Sequence, residues 1–230
     1  MQNNFYDLNV SVPVEELGEA VELAKKLGWK GIGIITNENQ LAGFRKETIR
    51  HKSKGFDIAL GVLLEPARAG EVPKKAGKLR RSVELIAVKG GLPEVNRTAL
   101  ETPEVDLLLS PWSQDGCGLN HVLARLGKKN NVAVCFGFSE LLYSYKKSRA
   151  SLLSGMQEAA KLATKFGCPF ALSGSAASPW ELRAASELVS FGRVLGLRDP
   201  DMKKALSGQI IEENRKRLSG KWIMPGAELE

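Results

Sequence analysis

Residues 5–35, FYDLNVSVPVEELGEAVELAKKLGWKGIGII, hold two apolar runs with a helical stretch between them. The first run, Phe5 to Val10, is short and β-prone. Val14, Leu17, Val21, Ala24 and Leu27 then recur at spacings of three and four, which puts them on one face of an amphipathic helix, and Gly28 closes it as a C-cap. Gly31 to Ile35 starts the next run. A crossover of this length joins parallel neighbours, so the stretch reads as a βα unit followed by its second strand.

The same alternation continues along the chain. Ile58 to Leu64, Leu85 to Val88, Val105 to Leu109, Val132 to Phe136 and Phe170 to Ser173 complete seven predicted strands. Helical stretches are predicted near 40–51, 71–81, 92–101, 119–129, 139–166, 179–195 and 201–218. Nearly continuous apolar strands are those of a parallel sheet buried on both faces. Leu195-Gly196-Leu197 or Trp222-Ile223-Met224 offers a short eighth strand. Closing such a sheet on itself suits 230 residues better than an open sheet plus a second domain. The expectation is therefore one domain over 1–230, an irregular TIM-like α/β barrel with a C-terminal helical extension; an open doubly wound sheet is the alternative.

Composition narrows the class. The chain is 43% hydrophobic and 26% charged, with 33 Lys and Arg against 26 Asp and Glu for a formal charge of +7. Mixed charge and plentiful aliphatic residues argue against disorder, and no Pro- or Gly/Ser-rich linker interrupts the sequence. No apolar run approaches the roughly 20 residues that span a bilayer, so no membrane insertion is expected. Met1 to Asp7 lacks a basic segment followed by an apolar core, which leads to the expectation of a cytoplasmic protein. Cys117, Cys135 and Cys168 are widely spaced and accompanied by only two His, so they read as buried thiols rather than a zinc or disulfide framework.

In either architecture chemistry belongs beyond the C-terminal strand ends. A metal-dependent hydrolase needs several His and carboxylates converging there, and this chain has His51 and His121. Asp7 and Asn9 share a face of the first strand, but Asn is a poor substitute for imidazole. Glu65 and Asp115 could add carboxylates, yet each reads more simply as a solvated acid or a helix cap. No G-x-S-x-G elbow occurs, and Gly28, Gly31 and Gly33 run into a strand instead of opening a helix, so no nucleotide cofactor is indicated. Ser173-Gly174-Ser175, before a predicted helix, reads either as an anion-binding loop or as a plain helix start.

Positive charge is the stronger signal. Residues 66–90 carry seven basic against two acidic side chains, a local +5, and residues 125–165 carry eight against two, a local +6. The first 28 residues hold five acids and two bases. Such clusters either contact phosphates or form solvated helix faces. No compact RNA-reading module with paired stacking aromatics is present, so any nucleic-acid contact would read backbone and shape.

Asp115-Gly116-Cys117-Gly118-Leu119-Asn120-His121-Val122-Leu123-Ala124 resembles the archaeal ribonuclease P protein component 3 family, relatives of a eukaryotic nuclear ribonuclease P subunit. Tyr6-Asp7-Leu8-Asn9-Val10, Lys129-Asn130-Asn131-Val132-Ala133-Val134, Leu172-Ser173-Gly174-Ser175-Ala176, Trp180-Glu181-Leu182-Arg183, Phe191 to Leu197 and Asn214-Arg215 extend the likeness, in order, over about 6 to 217. Gly116-Cys117 and Ser110-Pro111 depart from the family pattern; the second removes a histidine that relatives often carry.

The resemblance implies a barrel related to the polymerase and histidinol phosphatase phosphoesterases that has lost their ligand set. It implies a protein subunit of ribonuclease P that binds no cofactor itself, while the RNA subunit uses Mg²⁺ to remove the 5′ leader from precursor tRNA. The partners implied are ribonuclease P RNA, ribonuclease P protein component 2 and other ribonuclease P proteins, with precursor tRNA met indirectly. Candidate RNA contacts are His121 and Arg183, within matching motifs, and Arg97, Arg125, Lys165, Arg198 and Lys203, chosen for charge near loops. Plainer readings stand beside these: His121 as a helix-start residue, Arg183 as an i,i+4 partner of Glu187, and the aromatic candidates Trp112 and Trp180 as core or interface instead of base-stacking rings. An autonomous metal-dependent phosphoesterase using Asp7 and Glu65 is the main alternative, and a sugar- or phosphate-metabolising barrel enzyme a more distant one.

Overall fold

Seven of the apolar runs form parallel strands hydrogen-bonded in chain order: β1 (Tyr6–Val10), β2 (Gly31–Thr36), β3 (Asp57–Leu64), β4 (Leu85–Lys89), β5 (Leu107–Leu109), β6 (Ala133–Gly137) and β7 (Phe170–Ser173). The computed structural model describes residues 4–51, 55–113, 116–219, 222–224 and 227–228. Helices α1 (Leu17–Lys26), α2 (Leu41–His51), α3 (Glu71–Leu79), α4 (Pro93–Glu101) and α5 (His121–Asn130) follow the first five strands in turn. The predicted α/β barrel is what forms.

Side chains alternate across each strand, so the sheet feeds two apolar layers. Tyr6, Leu8, Ile35, Leu85, Leu107 and Cys135 are among those filling the inside, and a larger layer lies between the sheet and the helices. Gly33 makes room within: a Cβ there would stand 2.8 Å from both the Leu8 carbonyl oxygen and Leu85 Cδ1.

The barrel is nearly closed. Among the described residues the ladder runs from β1 to β7 and no eighth strand bridges the gap. Leu195-Gly196-Leu197 instead ends helix α8 (Ala185–Val194), and Trp222–Met224 (β8) pairs antiparallel with Ala227–Glu228 (β9), outside the seven-stranded sheet. Backbone from elsewhere fills the seam. Tyr6 N–H donates to the Leu206 carbonyl at 2.7 Å, and Ser11 N–H to the Ala176 carbonyl at 2.8 Å.

Three predicted helices are interrupted. The 139–166 stretch is α6 (Phe138–Tyr143) and α7 (Lys146–Phe166), separated by extended backbone at Ser144 and Tyr145. The 179–195 stretch is a 3-10 turn at Pro179–Glu181 and then α8. The 201–218 stretch is α9 (Asp199–Ala205) and α10 (Gln209–Leu218), broken where Ser207 bridges Phe5 beside β1.

The expected C-terminal helical extension folds back as a plug at the N-terminal strand ends. Ile211 of α10 joins the barrel's inner cluster. Asn214 Nδ2 donates to Asp106 Oδ1 at 2.7 Å and to the Glu84 carbonyl at 2.8 Å, while Arg215 pairs with Asp57 at 2.6 Å and with the Glu84 carboxylate. Arg80 meets Asp106 at 2.7 Å. Burial pushes the Asp106 carboxyl up, against the pull of Arg80 and Asn214. Asn214-Arg215 is thus a structural pair.

Candidate nucleic-acid interface

Asp7, the second residue of β1, is completely buried in the seam against the C-terminal end of β7, the side of a barrel on which enzymes keep their active sites. Ser173 O–H donates to Asp7 Oδ1 at 2.5 Å and Gly174 N–H to Oδ2 at 3.0 Å, and Asn9 N–H lies 3.3 Å from Oδ1. Burial pushes this carboxyl up to about 6, with those donors pulling the other way. Asn9 Nδ2 donates to Ser175 Oγ at 2.9 Å, so the first and seventh strands are stapled by side chains where a ladder is missing.

This corrects the anion-loop reading of Ser173-Gly174-Ser175. The Gly174 donor already holds Asp7, the Ser175 N–H is turned to Ser173 Oγ at 2.8 Å, and no α-helix opens directly after them. The anion in this loop is the protein's own carboxylate.

The other mouth candidates are dispersed. Glu65 is exposed and Asp115 lies outside the described residues. His51 sits in the outer layer, 3.5 Å from Glu47, with its ring against Gly18 of α1. Glu140 accepts from Trp112 Nε1 at 2.7 Å, and burial holds its carboxyl above the usual range. Trp112 is core, stacked on Phe136 at 5.6 Å. Among the described residues no three His, Cys, Asp or Glu come together as a metal site.

The glycine-rich motif shapes the start of α5. Gly118 has φ +65°, and a Cβ there would fall 1.8 Å from the Pro111 carbonyl oxygen, so only glycine fits. Buried Asn96 ties this loop to the one after β5, donating to the Pro111 and Gly118 carbonyls at 2.7 and 3.1 Å. Asn120 caps α5 by accepting from Val122 and Leu123 N–H at 3.0 and 2.9 Å, which presents His121 exposed on the first turn.

Three of the seven candidate contacts converge there. The Phe166 ring at the end of α7 has the His121 ring 6.2 Å away, the Arg125 guanidinium at 5.4 Å and the Lys165 ammonium at 5.5 Å. Cations on an aromatic face keep their charge toward water while their stems pack. Phe166 itself was not a sequence candidate, because one aromatic in an amphipathic helix reads as core.

Others lie on neighbouring helices. Arg97, on α4 beside α5, pairs with Glu101 at 2.9 Å. Arg198 precedes α9, pairs with Asp201 at 2.9 Å and borders a cavity of about 320 Å³ that also reaches Thr164 and Gly167 at the end of α7. Lys203 is exposed on α9. Arg183 stands apart over the Phe138 ring, and its guanidinium donates to the Trp180 and Leu182 carbonyls at 3.2 and 3.0 Å. Glu187 does not partner it in that geometry but accepts from the Ala184 N–H at 2.7 Å.

The seam is stapled, the base is plugged, and cations lie along the outer helices. The family profile "RNase P subunit p30" matches residues 4–219. Ribonuclease P protein component 3 of Methanococcoides burtonii is 32% identical over 232 residues, covering 99% of this chain and 95% of the relative. A chain in a cryo-EM structure of archaeal ribonuclease P with mature tRNA superposes with a TM-score of 0.84 at 26% identity, over 96% of each chain. Ochratoxinase of A. niger shares the barrel alone, with a TM-score of 0.62 at 13% identity over 90% of this chain and 70% of its own. The chain belongs to the RNase P subunit p30 family, as its motifs led one to expect.

Proposed function

We propose that this chain is a non-catalytic protein subunit of ribonuclease P that holds the catalytic RNA in a cleavage-competent arrangement during removal of the 5′ leader from precursor tRNA. The observation that carries this is the gathering of His121, Arg125 and Lys165 around Phe166 on an outer helical face, away from the sequestered carboxylate at the barrel mouth. Cations fixed on a folded surface neutralise RNA phosphates and release counterions, which lowers the Mg²⁺ the RNA requires to fold and cleave. The implied partners are ribonuclease P RNA, protein component 2 and the other ribonuclease P proteins, with precursor tRNA engaged through the RNA. The Mg²⁺ belongs to the RNA subunit. The membership of the family and the likeness to a chain within an archaeal ribonuclease P support this reading.

Binding to ribonuclease P RNA across a salt series tests it. The affinity is expected to fall steeply with salt, and Arg125→Gln combined with Lys165→Gln is expected to flatten the slope of log affinity against log salt by about 1 to 2. Both side chains are exposed, so the fold is retained. A slope identical to wild type would remove this face from the interface.

A further inference from the structure

Tyr143, Tyr145 and Trp180 project from one stretch of surface where the end of α6, the start of α7 and the 3-10 turn at 179–181 meet, with exposures of 71, 73 and 77%. The turn is tied to α6 by the Tyr143 O–H, which donates to the Glu181 carboxylate. Trp180 is braced by Arg183, whose guanidinium donates to the Trp180 carbonyl at 3.2 Å. Large rings facing water in one place mark a surface with a partner.

The charge around them says what kind. Lys146 Nζ and the Arg149 guanidinium lie 6.0 and 5.9 Å from the centre of the Tyr145 ring. The first turn of α7 carries no acid, and its lysines oppose the helix dipole, an arrangement that an incoming anion relieves. The neighbouring acid, Glu181, is engaged by Tyr143 O–H and by the Ala177 N–H at 2.9 Å. Protein interfaces favour Tyr, Trp and Arg but are depleted in Lys. Rings interleaved with cations match the alternation of bases and phosphates along a strand.

We propose that this surface is a stacking platform for an unpaired RNA strand, with Tyr143, Tyr145 and Trp180 under bases and Lys146 and Arg149 on phosphates. A duplex presents no free base faces and does not fit it. Arg183 acts as a positioning residue that sets Trp180. The inference rests on the RNA-subunit reading above, but on a different face from the Phe166 cluster.

The test titrates the full-length chain with an unpaired decamer of adenylate and with an RNA duplex of the same length. Wild type is expected to bind the unpaired strand with quenching of tryptophan fluorescence. Trp180→Phe should keep the affinity and lose the quenching. Trp180→Ala and Tyr145→Ala should each weaken the unpaired strand about tenfold while leaving duplex affinity and melting temperature unchanged. Equal losses for strand and duplex, or no loss, would overturn the platform. So would an unchanged strand affinity with loss of binding to a ribonuclease P protein partner, which would make this a protein-docking face. Wild type binding duplex alone sinks the platform and leaves the subunit reading standing; wild type binding neither RNA sinks both.

Discussion

Arg80→Ala is expected to cost about 3–5 kcal/mol of folding stability, because it strips the counter-ion from a carboxylate that cannot reach water. Asp106 is 4% exposed, and the Arg80 guanidinium meets it at 2.7 Å while also donating to the Glu104, Val83 and Glu84 carbonyls. With Arg80 truncated, the Ile86 N–H and Asn214 Nδ2 still donate to Asp106 but bring no positive charge. Adding Asp106→Asn to Arg80→Ala removes the stranded charge, so the double variant should lose less than the sum of the singles by about 1–3 kcal/mol. Urea unfolding of the four proteins measures this. Additive losses would show that the network at the barrel base carries no coupling.

The second large effect concerns the seam. Asp7 titrates near 6 when folded, against an ordinary value of 3.8, because burial disfavours its charge. The folded state therefore binds the proton more tightly than the unfolded state. The associated stability is fully present below about pH 4 and is lost as pH rises through 6, a difference of about 3 kcal/mol. Asp106 and Glu140, also raised by burial, push the same way, so the contribution of Asp7 is read by subtraction. Asp7→Asn, which keeps an acceptor for the Gly174 N–H, should flatten the profile between pH 4 and 7. Asp7→Ala should cost about 2–4 kcal/mol at neutral pH by leaving Gly174 without its partner and opening a cavity in the seam. Parallel pH profiles for wild type and Asp7→Asn would contradict this assignment.

Much of the fold was legible because parallel strands buried on both faces read as plain apolar runs, and the intervening periodicity marks the outer helices. What periodicity misses is tertiary. The break between α9 and α10 exists because residues 206 and 207 bind the free edge of β1, and nothing local at Leu206-Ser207 announces that. The Ser173-Gly174-Ser175 loop was legible as a cluster of donors, but its anion is Asp7, 167 residues before Gly174. The same distance hides the substitution of a polar staple for an eighth strand. At the candidate interface, Arg125 and Lys165 could be read from sequence by their charge and His121 by its motif, whereas their meeting around Phe166 required the packing of α5 on α7. Arg183 was legible as a motif residue, and its bond to the Trp180 carbonyl became visible in the fold.

The subunit role is decided by precursor-tRNA cleavage at limiting Mg²⁺, measured with the cognate ribonuclease P RNA alone, with this chain plus component 2 and the RNA, and with this chain alone. Cleavage is expected only when RNA and both proteins are combined, and none from the chain by itself. Metal-dependent cleavage by the chain alone, abolished by Asp7→Ala, would contradict it and place an active site at the barrel mouth.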